Sequence, residues 1–120
     1  MATLIQKNIA IWFSALLVLS VAAALAADNS WLVGKWELAY DPDGSEKDWM
    51  EFTADGQTFS INQSGRRIPG VYIVTDTEIR ATYTHKGVTI PLSFKHSPDR
   101  KKLLVYSAKT GNTAVYEKIK

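Results

Sequence analysis

Val88-Thr89-Ile90-Pro91-Leu92-Ser93-Phe94 is the stretch whose reading decides the fold. Its apolar residues fall at every second position, so Val88, Ile90, Leu92 and Phe94 share one face of an extended chain. A helix would need them three or four apart. Pro91 has no N–H to give to a ladder, which predicts a bulge or an unpaired position inside this strand. One segment upstream, Ile79-Arg80-Ala81-Thr82-Tyr83-Thr84 alternates in the same way, with Ile79, Ala81 and Tyr83 on the inner face.

The same period extends outward to both sides. Residues 36–40, 49–53, 58–61, 67–74, 103–107 and 113–119 complete a set of eight strands. The stretches between them carry turn chemistry. Asp55-Gly56 is the strongest hairpin signal, read as a type I′ turn, and Ser64-Gly65, Lys86-Gly87, Ser97-Pro98-Asp99 and Thr110-Gly111-Asn112 serve the other connections. The connections are too short for a crossover helix. Eight consecutive strands joined by hairpins form an antiparallel meander, and closing it removes the exposed edges. The expectation is an all-β, eight-stranded up-and-down barrel whose interior is filled or holds one small ligand.

Ahead of the strands, Lys7 is the only charge before Asp28, and residues 9–27 are apolar apart from Ser14 and Ser20. Ala24-Leu25-Ala26 has the small-x-small spacing of a signal-peptidase site, so residues 1–26 read as a signal peptide and 27–120 as the domain. An uncleaved anchor is the competing reading, disfavoured by the alanine-rich end and the polar Asp28-Asn29-Ser30. Export to a periplasm or the exterior follows, with no stable membrane anchor after cleavage. The 120-residue chain has no cysteine, which removes disulfides, thiolate metal sites and cysteine nucleophiles. A short leader without disulfides favours a bacterial periplasm.

Charge excludes one class of partner. Without Lys7, the 14 Lys and Arg fall to 13, facing 12 Asp and Glu. Arg66-Arg67 and Arg100-Lys101-Lys102 are two small clusters on separate turns, not the basic stripe that nucleic acid requires. Catalytic patterns are equally thin. No serine sits in a Gly-x-Ser-x-Gly elbow. Asp41-Pro42-Asp43-Gly44-Ser45-Glu46 has its glycine at position four, where an EF-hand needs it at six. His85 and His96 fall at opposite ends of the barrel, too far apart to share a metal. Glu51 and Glu117 could face the interior by parity. The expectation is a protein that is not an enzyme and has no cofactor.

Leu32-Val33-Gly34-Lys35-Trp36 carries a second signal. A Gly-x-Trp at the head of the first strand, Phe52-Thr53-Ala54-Asp55-Gly56 after the second, and Tyr116-Glu117-Lys118 in the last resemble the small bacterial lipocalin-like (calycin-type) domains. The resemblance implies a barrel that binds and does not transform. It implies that Trp36 plugs the closed end, with Lys118 across its ring. Family members usually carry arginine there, and this chain lacks the long lid loop and C-terminal helix of a full lipocalin.

Strand order then sorts residues by height. If the first strand rises from Trp36, the loops at 41–47, 63–69, 85–87 and 109–112 lie at the open end. Tyr40, Trp49, Tyr83 and Tyr106 are expected to converge there, with Arg67 beside them, as a rim for a small apolar or amphipathic ligand. The alternative is a periplasmic protein-binding module, an enzyme inhibitor or immunity protein, acting through the same loops. A monomer or a weak dimer is expected in either case.

Overall fold

The computed structural model describes residues 29–120. The expected signal peptide, residues 1–26, and its expected cleavage after Ala26 lie outside those residues. The chain forms β1 (Gly34–Tyr40), β2 (Trp49–Phe52), β3 (Gln57–Ile61), β4 (Arg67–Val74), β5 (Ile79–His85), β6 (Val88–His96), β7 (Lys102–Tyr106) and β8 (Thr113–Lys118). Each strand pairs antiparallel with the next, and β8 returns to β1, so the sheet is a closed up-and-down barrel.

Two turns exchange the roles expected of them. At Ala54–Gly56 only Gly56 takes a positive φ, of 90°, and Thr53 N–H donates to the Gln57 carbonyl at 2.9 Å. This is a type I turn followed by a left-handed glycine, not the expected type I′. The type I′ geometry belongs to Lys86-Gly87, with φ of 52° and 76° between the paired His85 and Val88. Lysine tolerates that conformation because the two flanking strands impose the matching twist.

The closed end is where the core is tightest. Leu32, Trp36, Ile79, Phe94 and Leu103 are wholly buried, with Phe52 beside them. Each such side chain stabilises the fold by about 1.5–3 kcal/mol. Trp36 Nε1–H donates to the Leu32 carbonyl at 2.9 Å, and Lys118 Nζ lies 5.9 Å from its ring centroid. The Lys118 contact across Trp36 is thus present, worth about 0.5–1 kcal/mol. Gly34, at φ 137°, has no space for a side chain: a Cβ there would collide with the Lys120 carbonyl.

Alternation is broken at one position in β1. Leu38 pairs with Tyr116 and Tyr40 with Val115, leaving Ala39 as a bulge. The extra residue reverses parity, so Tyr40 shares the outer face with Val115.

The lacing is weakest between β6 and β7. Only Lys95–Leu104 and His96–Leu103 are paired, although β6 pairs with β5 without a break from Phe94 up to Val88. Above Lys95 the two strands part, leaving a lateral seam. Pro91 lies opposite Thr82 with no bulge. Counting from the tight turn at Lys86-Gly87, Thr82–Pro91 is a non-hydrogen-bonded pair, so the proline nitrogen is turned toward the seam. The expected unpaired position is therefore found, and the expected bulge is not.

Gly70 is held by a close approach. It pairs with Tyr83, and an added Cβ would meet the Thr82 carbonyl at 2.6 Å and the Tyr83 ring at 2.8 Å. The tyrosine ring lies across the space the glycine leaves. Because one obstacle is backbone, Gly70→Ala is expected to cost about 1–3 kcal/mol, read as a lower urea midpoint. A midpoint equal to wild type would show that the ring and strand shift freely.

Candidate functional site

The inner face of the barrel divides into a filled half and an unfilled half. Below, Trp36, Phe52, Ile79, Phe94 and Leu103 exclude water. Higher up, Ile68, Leu92, Val105 and Ala114 pack on that core from above and are only partly buried. Above these, Ile90 is 43% and Val88 59% exposed. Ile90 pairs with the buried Tyr83 and Val88 with His85, so both stand on the inner face. The sequence pattern made all four alternating residues of β6 inward. The seam explains why only Phe94 is sealed: β7 does not follow β6 upward to cover the rest.

Two tyrosines bring polar atoms to the base of this mouth. Tyr83, 3% exposed, places its hydroxyl 3.2 Å from Thr58 Oγ1 and 3.6 Å from Met50 Sδ. Tyr116 donates to Asp48 Oδ1 at 2.7 Å. Asp48 precedes Trp49, and the inward Met50 two residues on puts the carboxylate on the inner side at the lip. Its backbone carbonyl accepts from Leu38 N–H at 2.9 Å, which fixes it to β1. Burial raises the Asp48 pKa, opposed by the Tyr116 hydrogen bond and aided by the charge of Asp41. Burial, then the Asp48 carboxylate, push the Tyr116 hydroxyl far above the usual phenol range. Burial also raises Tyr83. Both phenols therefore remain protonated donors at neutral pH.

Of the five residues expected at the rim, only Tyr83 faces inward, and it is a core residue. Trp49 stands on the outer face, its Nε1–H donating to Glu37 at 2.9 Å with Lys35 Nζ 5.8 Å from its ring centroid. Arg67 is outside too, 2.6 Å from Glu51 and 4.4 Å over the Phe59 ring. Tyr40 is turned out by the Ala39 bulge and is 61% exposed. Tyr106, 65% exposed, pairs with Thr113 on the outer face of β7. It lines a groove of about 340 Å³ where the strands part, with Ser93, Lys95, Leu104 and Thr113. The four aromatics do not converge, because three of them face outward and Tyr83 belongs to the core.

Glu51 and Glu117 likewise point outward, pairing with Arg67 at 2.6 Å and Lys102 at 3.6 Å. Their neighbours Met50, Phe52 and Tyr116 take the inner positions, so alternation leaves the carboxylates outside. His85 and His96 sit at opposite ends, on β5 at the open rim and at the last residue of β6. The loop after β1 is organised by Asp41, which accepts from Asp43 and Ser45 N–H. Asp43 joins it to the β7–β8 loop through Thr110 at 2.9 Å and Asn112 at 2.6 Å. Among the described residues, no three His, Asp or Glu side chains gather closely enough to hold a metal ion.

Asp48 and Tyr116 were missed by sequence reasoning. Asp48 follows a run of turn residues and resembles one more of them. Counting back from Met50 would have put it inside.

Two substitutions test the polar base. Tyr83→Phe removes the only side-chain partner of the fully buried Thr58 hydroxyl among the described residues, and should lower stability by about 1–2 kcal/mol in urea titration. For Asp48 the folded pKa lies above the free value of 3.8, so its charge weakens the fold above the folded pKa and stops doing so below the unfolded one. Asp48→Asn is expected to unfold at an equal or higher urea concentration than wild type near neutral pH. That advantage should shrink as the pH falls toward 3.8. An Asn variant weaker than wild type near neutral pH would reverse the sign. Comparison of the chain with protein-family models, with curated proteins and with solved structures gave no significant match.

Proposed function

We propose that the protein is a non-catalytic exported binding protein whose barrel takes a small apolar or amphipathic ligand at its open end. One observation carries this reading: the inner apolar face of upper β6, at Val88 and Ile90, is left uncovered while the lower barrel is sealed. Uncovered apolar surface forgoes about 25 cal/mol per Å² of stabilisation, a cost that a bound chain would recover. The half-buried ring of Ile68, Leu92, Val105 and Ala114 supplies the walls, and the seam a side opening. The ligand would contact these walls and Tyr83 at the base, not Tyr40, Trp49, Arg67 or Tyr106.

A second reading has its own observation. The outer groove beside Leu104 and Tyr106, with Tyr40 exposed across β8, favours a protein-binding module such as a periplasmic inhibitor or immunity protein.

Ala114→Trp separates the two. Ala114 stands on the inner wall opposite Val105, so an indole there would fill the mouth without touching the outer groove. N-Phenyl-1-naphthylamine should brighten on binding wild type, be displaced by decanol, and bind the variant at least about tenfold more weakly. Equal binding by both proteins would overturn the mouth as the site.

A further inference from the structure

Resting on the mouth reading, we propose that the ligand carries a positively charged nitrogen at its polar end, and that the Asp48 carboxylate receives it. Arg67 was expected beside the rim, where its charge would favour an anionic head. The geometry points the other way. Arg67 is turned outward and held by Glu51 and Phe59. Lys47, next to Asp48 in sequence, is also outside, 3.0 Å from Glu37.

What remains at the lip is a carboxylate. One of its oxygens accepts from Tyr116 at 2.7 Å, and the other accepts no hydrogen bond among the described residues. None of the four ion pairs found among those residues includes Asp48. A half-desolvated carboxylate without a cation attracts an ammonium and repels another carboxylate more strongly than it would in water. The nearby Tyr83 and Tyr116 add electron-rich rings rather than countercharge. Asp41 adds a second negative charge near Asp48, and His85, which faces the lip by parity, is on β5, three strands from the start of β2. A cationic head at Asp48 would leave its alkyl part over Ala114, Val105 and the exposed inner face of β6.

Decylamine, decanol and decanoate, which share a chain and differ in head charge, test this by calorimetric titration of the purified protein below micelle-forming concentrations. Near neutral pH, decylammonium is expected to bind about tenfold more tightly than decanol, with decanoate weakest. In Asp48→Asn, decanol should bind as to wild type and the preference for decylammonium should disappear. Decanoate binding as tightly as decylammonium, or an unchanged preference in the variant, overturns the inference while leaving the mouth in place. Failure of all three chains to bind overturns both. The wild-type series needs no variant, so it decides the matter even if Asp48→Asn does not fold.

Discussion

Trp36 is the residue on which the closure of the barrel depends. Its ring has no exposure to water, its indole N–H is satisfied by the Leu32 carbonyl, and Lys118 of β8 lies across it. Those two contacts bind the turn before β1, β1 itself and the last strand into one unit. In a chain without cysteine, they take the place of a covalent link. Lys118 also donates to the Trp31 carbonyl at 2.9 Å, and the Trp31 ring meets His96 at 5.1 Å and Arg100 at 5.3 Å. The first turn is thus clamped to β6, the β6–β7 loop and β8 at once. A ring of eight short strands closes only if its first and last members are held together, and here the bulkiest side chain holds them.

How much of this was legible follows from what alternation records. Period two in residues such as Ile79, Ala81 and Tyr83 marks strands, and turn residues mark their ends, so strand number and order could be read, while full closure is settled only by the pairing of β8 with β1. Alternation does not record a bulge. Leu38-Ala39-Tyr40 reads as an unbroken strand, yet Ala39 has no partner and Tyr40 is turned to the outside. Facing was also lost where aromatics occupy outer positions. Trp49 and Phe59 stand there because Lys35 and Arg67 cover their rings, a contact made between strands and invisible along one of them. The parting of β6 from β7 is likewise a property of two strands and not of either alone. Asp48 was obscured for a simpler reason: a polar residue in a polar loop carries no period.

The two ends of the barrel have been put to different uses by the same architecture. The lower half is aromatic packing at right angles, with Phe52 meeting both Tyr72 and Phe94 edge to face at 5.1 Å and 6.0 Å. Such contacts specify one arrangement and resist rearrangement. The upper half is thinner. It is built from small or branched side chains around two phenols and a carboxylate, with the strands free to part on one side. Stability is concentrated below, which leaves the rim able to accept unfavourable features: uncovered aliphatic surface and a charge partly withdrawn from water.

The seam also bears on what this molecule avoids. A barrel that fails to lace one pair of strands recovers the hazard that closure removes, since an unlaced strand is a template on which another polypeptide can build a ladder. Pro91 sits in the middle of the unlaced length of β6 with its nitrogen toward the gap. A neighbouring chain arriving there finds no donor at the centre of the row, and growth of intermolecular sheet is interrupted where it would begin. The opening is therefore a poor seed for assembly. One imino acid thus offsets, at the seam itself, the hazard that an unlaced strand brings.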